Sequence, residues 1–203
     1  MRPCWIITYS RTGSTYLSRL LNSTKLFDPL FREHYLDQEV YQHDPPRYAK
    51  VMYPHYVYGR SIGAVLNEFY PDMRFVYNRR RDLVATAVSR YFVRMTGIYS
   101  VKTKRALRRY QAITVPYDPQ RLLEIYQNEL ERHIGWNEFA ESHNALPVFY
   151  ENVVSDPEGE ISRIMQFLEV DQEWRIDVHD NCMMLKLDHP QKPKFTDRLR
   201  DIL

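Results

Sequence analysis

The sequence predicts an α/β fold of three layers, α/β/α, built around a central parallel sheet. Two observations carry that reading. Short apolar runs of strand-favouring residues alternate along the chain with segments of helical spacing. Such alternation gives parallel strands joined by crossover helices, which cover both faces of the sheet. The length of 203 residues suits one domain, 1–203, whose core needs no disulfide or metal staple. No internal repeat, low-complexity tract or linker divides it.

The first run, Cys4 to Tyr9 (CWIITY), reads as a buried strand. Ser10 to Thr15 supplies turn-forming residues, and Thr15 to Leu21 has helical spacing. A second strand is expected at Tyr48 to Tyr53, ended by Pro54, with a helix from Gly59 to Phe69 closed by Pro71. Met73 to Tyr77 gives a third strand running into Arg79, Arg80 and Arg81. The helix that follows, Asp82 to Arg94, has Asp82 placed as its N-cap or as a first-turn acid. Asp118-Pro119 opens a long helix reaching Ser142, with Leu122, Leu123, Ile125, Tyr126, Leu130, Ile134 and Phe139 as its apolar stripe. Leu146 to Tyr150 reads as a fourth strand. Asp156-Pro157 then starts a helix that turns Ile161, Ile164, Met165, Phe167 and Leu168 inward. The last thirty residues, about, carry weaker signals and several prolines.

Composition removes several classes of function. A net charge of +2 gives no general electrostatic case for long nucleic acid. Cys4 and Cys182 form neither a metal-ligand cluster nor a disulfide framework, and Cys4 reads as a small buried hydrophobe. No apolar stretch has the length of a membrane span, and the chain passes from Met1 straight into a strand-like run with no room for a signal peptide. A cytoplasmic location is the expectation. The 16 tyrosines, each with an apolar face and a polar tip, suit pockets for hydroxylated ligands as well as ordinary packing. The basic run Lys102, Lys104, Arg105, Arg108 and Arg109 reads as a solvated helix face.

In open parallel sheets, ligands bind beyond the carboxyl ends of the strands. The loop Ser10 to Thr15 occupies that place after the first strand. Gly13 permits close backbone approach, and the amides that follow point out of a helix N-terminus, an arrangement that binds phosphate. Ser14 and Thr15 add hydroxyls, and Arg11 adds a fixed charge. A nucleoside-triphosphate loop needs a second glycine and a terminal Gly-Lys-Ser/Thr, both missing here. After the third strand come Arg79, Arg80 and Arg81, and Ser89 lies eight residues beyond Arg81 on the next helix. Three arginines at a helix N-terminus oppose the helix dipole, a poor choice for structure and a good one for holding an anion. Two anion sites at neighbouring strand ends suggest a nucleotide with two separate phosphates.

Together, TYSRTGSTYL (Thr8 to Leu17) and RRDLVATAVSRYFVRMTGIY (Arg80 to Tyr99) resemble the sulfotransferase superfamily that uses 3′-phosphoadenosine-5′-phosphosulfate (PAPS). The similarity is greatest to the branch of bacterial trehalose 2-sulfotransferase, the Stf0 type. There the second segment reads as RRD, then AQAVS, then a TG pair and an aromatic. Thr86 departs from the glutamine, while Ala87 to Ser89 and Thr96 to Tyr99 fit. The tripeptide Tyr117 to Pro119, Trp136 and the stretch Tyr150 to Val170 follow the same layout, so the resemblance covers about residues 3–170.

The resemblance implies a P-loop-like sulfotransferase fold that moves a sulfuryl group from PAPS to a small hydroxyl acceptor, such as a sugar or glycolipid, leaving PAP and requiring no metal. By the same resemblance Arg11, Thr12, Gly13, Ser14 and Thr15 bind the 5′-phosphosulfate, with Arg11 where many relatives carry lysine. Arg81 and Ser89 bind the 3′-phosphate, and Lys50 lies near the active site. Glu33, in Phe31 to Tyr35, matches the glutamate thought to be the general base, although the proline before it in relatives is missing. His34 and His55 are alternative bases, since histidine titrates near neutrality. Tyr99 is placed at the acceptor. No membrane span and no nucleic acid enter this reading, and a homodimer is compatible with it. Two rivals stay open at this level: a PAP- or PAPS-binding protein without catalysis, and a P-loop kinase.

Overall fold

Cys4–Thr8 is a run of five buried residues, the pattern of a strand covered on both faces. A computed structural model describes residues 1–9, 11–27, 31–34, 46–52, 56–57, 60–176 and 186–203, with the backbone alone at 32–34, 56–57, 60–61 and 63. Its strands are β1 (Cys4–Thr8), β2 (Arg32–His34), β3 (Tyr48–Met52), β4 (Tyr56–Val57), β5 (Arg60–Ser61), β6 (Arg74–Arg79) and β7 (Leu146–Phe149). Its helices are α1 (Ser14–Ser23), α2 (Ile62–Phe69), α3 (Leu83–Thr96), α4 (Lys104–Gln111), α5 (Pro119–Ser142), α6 (Tyr150–Ser155), α7 (Pro157–Phe167) and α8 (Lys192–Arg200).

Two compact units make up the chain: Met1–Arg81 with His133–Cys182, and Asp82–Arg132 with Met183–Leu203. The first holds a five-stranded sheet of order β2-β3-β1-β6-β7, parallel at every pairing. Cys4 stands opposite Tyr48 on β3 and Arg74 on β6, which makes β1 the central strand. On one face Cys4, Ile6, Val76 and Val148 pack against Leu17, Leu20 and Leu21 of α1 and Ile161, Ile164 and Met165 of α7. On the other, Phe75 meets Phe139 of α5 edge to face at 5.1 Å. The sheet of this unit is thus covered on both sides, as the α/β reading requires. β4 and β5 form a separate antiparallel pair.

The second unit is helical. Its core gathers Ala87, Val88, Tyr91 and Phe92 of α3 with Tyr110, Leu122, Ile125, Phe195 and Leu199. Asp82 caps α3 by accepting from the Ala85 amide at 2.8 Å, and its second oxygen takes Arg200 at 2.7 Å. The apolar stripe expected on α5 is broken in an informative way. Leu130 and Ile134 are exposed, while Glu129 is fully buried. Glu129 holds that position because Arg90 and Arg132 both bond its carboxylate. Burial pushes its acid range upward, with the two arginines opposing.

Boundaries shift where local chemistry decides. Tyr150 opens α6 instead of ending β7, and α2 starts at Ile62 because Arg60 and Ser61 pair as β5. The short elements β2, β4, β5, α6 and α8 and the polar helix α4 had no apolar period to announce them. Cys4 is buried, which pushes its thiol up, while Cys182 lies outside the described residues. No helix among the described residues is long and apolar enough to cross a membrane.

His189 is a buried titratable side chain of the second unit that links Ile113 and Gln191. Its Nε2 lies 3.0 Å from the Ile113 carbonyl, and its Nδ1 accepts from the Gln191 amide at 3.2 Å. The neutral ring therefore has both nitrogens satisfied, and a second proton would break the Gln191 bond. Burial first, then Lys192, lowers its pKa below the usual 6.5. The unfolded chain therefore binds this proton more readily, and stability falls as pH drops below about 6.5. Thermal melting at pH 7 and pH 5.5 should show that loss in the wild type and a smaller one in His189→Gln.

Candidate functional site

The sheet order puts a reversal at β1. From β1 the chain runs through α1 to β2, beyond β3; from β6 it continues to β7 on the opposite side. Strand ends at such a reversal leave a crevice at the carboxyl edge. Residues 11–13 after β1 and the arginines at the end of β6 both stand there.

Two residues of the first loop adopt the left-handed conformation, Arg11 at φ 66° and Gly13 at φ 78°. Such strain in a non-glycine residue costs about 1 kcal/mol or more and collects at functional sites. Gly13 is required twice over, since a Cβ there would lie 2.1 Å from the Tyr150 ring. Thr12 is fully buried: its hydroxyl lies 2.6 Å from that of Thr8 and donates to the Tyr9 carbonyl at 3.0 Å, while Thr8 donates to Asn78. That hydroxyl staples the loop to β1, so the amide of Thr12 is what remains for a ligand. Gly13 is the N-cap of α1 and no side chain caps the helix. On α3, α4 and α7 that task falls to Asp82, Thr103 and Asp156. The first amides of α1 are left for an external acceptor.

Lys50 points at this helix start. It lies on β3 opposite Ile6, is 3% exposed, and donates from Nζ to the Thr15 hydroxyl at 3.1 Å. The contact sets a cationic side chain beside the positive end of the helix, a pairing that favours an anion between them. Glu33 pairs with Lys50 in the β2–β3 register, one strand spacing away. The backbone places Glu33, and His34 after it, at the edge of the same carboxyl end. His55 and Ser10 lie outside the described residues.

The arginines after β6 are held by the segment Phe149–Asn152. Arg79 donates to Asn137 at 2.7 Å, and its guanidinium lies 4.5 Å from the Phe149 ring centre. Arg80 lies over the Tyr150 ring at 5.0 Å, with Nε 3.7 Å from Glu151. Arg81 is the more exposed: its amide reaches both Glu151 oxygens at 3.3 Å, its Nη2 donates to Asn152 at 2.8 Å, and half its side chain meets solvent. Ser89 belongs to the second unit, buried on α3, and Tyr99 of that unit is 71% exposed.

Three contributors escaped the sequence reading. Tyr150 and Glu151 hold the loops and the arginines, and only the tyrosine's place after an apolar run pointed to them. His133 of α5 places Nδ1 3.3 Å from the Tyr9 hydroxyl and 3.5 Å from that of Tyr77. Burial, then Arg79, lowers the pKa of His133, and burial raises that of Tyr77. Among the described residues no group of three or more His, Cys, Asp or Glu is placed to hold a metal ion.

Cationic side chains thus gather at the carboxyl edge of a parallel sheet, around a helix start that no side chain caps. Residues 24–175 match the sequence profile described as the sulfotransferase family, and the chain belongs to that family. A sulfotransferase from Alicyclobacillus acidocaldarius is similar in fold, with a TM-score of 0.50 and 16% identity over 99% of this chain and 92% of that one. The mouse sulfotransferase SULT7A1, solved in complex with PAP, is also 16% identical over 98% of this chain, with a TM-score of 0.47; this chain spans 64% of its length. No curated protein sequence matches significantly.

Gly13→Ala tests the loop directly. The left-handed φ and the Tyr150 contact should together cost about 1–3 kcal/mol and displace the amides. Denaturant unfolding alongside anion titration should show lower stability and weaker binding; an unchanged variant would contradict the packing described.

Proposed function

We propose that the protein transfers a sulfuryl group from PAPS to a hydroxyl of a carbohydrate or other small acceptor by in-line displacement. The observation that carries this reading is Lys50, buried in the sheet and bonded to Thr15 at the uncapped start of α1. Family membership supplies the class of chemistry.

PAPS, when bound, supplies an activated sulfuryl group on a phosphate leaving group. Everything else falls to the chain. The amides of Thr12, Gly13, Ser14 and Thr15 and the Arg11 guanidinium hold the 5′-phosphosulfate. Lys50 and Arg11 stabilise negative charge as it develops on the departing phosphate oxygens. Sulfuryl transfer resembles phosphoryl transfer in passing through a loose transition state, so positioning and charge dominate. Arg81 takes the 3′-phosphate, which distinguishes PAPS from adenosine 5′-phosphosulfate; Ser89 joins it on the sequence motif alone. Glu33 removes the acceptor proton, favoured over His34 and His55 by its register position beside Lys50. Tyr99 stays an acceptor contact on the motif alone. The trehalose-sulfotransferase branch rests on the same motifs.

One paired assay tests the assignment. Arg81→Ala should weaken binding of PAPS at least about tenfold more than binding of adenosine 5′-phosphosulfate, the worth of one charge-assisted phosphate contact. Glu33→Gln should instead lower turnover by about 10²-fold or more at nearly constant nucleotide affinity. Equal losses for both nucleotides would remove the 3′-phosphate role of Arg81, and a fully active Glu33→Gln would remove the base.

A further inference from the structure

The end of α1 remote from the phosphate loop carries a second feature. A cavity of about 710 Å³ opens between the last turns of α1 and the segment 173–176, a size that falls in the range of small-molecule sites. Arg19, Lys25 and Arg175 line it, with Glu173 the one carboxylate and Trp174 the aromatic. Both walls belong to the first unit.

Charge balance distinguishes this cavity from the surface around it. Elsewhere in the unit, Arg2 and Arg74 face Glu169, Arg80 faces Glu151, and Arg163 faces Glu160. Around the cavity, the side chains of Arg19, Lys25 and Arg175 form no ion pair or hydrogen bond among the described residues. Three cations against the single Glu173 carboxylate leave the concave space net positive, which favours entry of an anion. Lys25 is also held at φ 60°, a helix-end position that glycine or asparagine fills at lower cost. Trp174 is half-buried against the core, so its ring is fixed while part of it stays accessible.

A rigid indole flanked by unneutralised guanidinium groups is complementary to a ring with one apolar face and a charged substituent. The C–H face of a pyranose stacks on the indole, and a sulfate ester or carboxylate takes the arginine fork. We propose that this cavity is a binding site for an anionic saccharide. It is distinct from the phosphate loop: α1 is ten residues long, so its ends are about 15 Å apart. The inference rests on the cavity and stands whether or not the transfer reading holds.

Tryptophan emission tests it on the intact protein. Trp5 and Trp136 are 1% exposed, so a ligand-induced change reports on Trp174. The probes are lactose 3′-sulfate, lactose, and sodium sulfate at matched ionic strength. The proposal expects a saturable change with lactose 3′-sulfate at least about tenfold tighter than with lactose, one charge-assisted contact in affinity. Sodium sulfate should not reproduce it. Arg19→Gln with Arg175→Gln should weaken it at least about tenfold, and Trp174→Phe should abolish the signal. PAP affinity should be unchanged in both, which shows the variants are folded and the nucleotide site separate. Because Arg175 is exposed, Arg175→Gln alone serves if the double variant unfolds. A response without saturation, equal affinity for the two sugars, mimicry by sodium sulfate, or wild-type binding by the arginine variants would each overturn the proposal.

Discussion

A buried ammonium set against the positive end of a helix organises this structure. Lys50 reaches from β3 to the Thr15 hydroxyl at the first turn of α1, which fixes the lysine against the helix start. The left-handed Arg11 and Gly13 and a helix start that no side chain caps occur at the same place.

The rest of the first unit serves to hold that arrangement still. β1 lies between β3, which carries Lys50, and β6, which delivers the arginines. Both neighbours are pinned to it in parallel register, so the lysine, the loop and the arginines share one edge of the sheet. Tyr150 then joins the two loops: its ring lies against Gly13 on one side and carries the Arg80 guanidinium. Glu151 and Asn152 fix Arg81 through its amide and its fork. A short helix after β7 thereby positions groups that arise some seventy residues earlier in the chain.

Much of this was legible in the residues themselves. Short apolar runs announced β1, β3, β6 and β7, and β1, buried at all five positions, leaves no polar alternation to misread. Gly13 and the arginines announced the site through chemistry that ordinary packing does not need. What stayed hidden was nonlocal. β2 is three residues of charged character, recognisable only by pairing with β3. Glu129 sits in the core because Arg90 and Arg132 neutralise it, so the periodic stripe placed Leu130 and Ile134 inside instead. The Thr12 hydroxyl is taken up by contacts with Thr8 and Tyr9, which no local pattern announces.

Calorimetry of PAP binding to the wild type and to Lys50→Met tests the central claim most directly. A lysine that holds the nucleotide's phosphate predicts measurable PAP binding by the wild type and a loss of at least about tenfold in the variant. Absence of PAP binding by the wild type, or equal affinity in the two proteins, would contradict it.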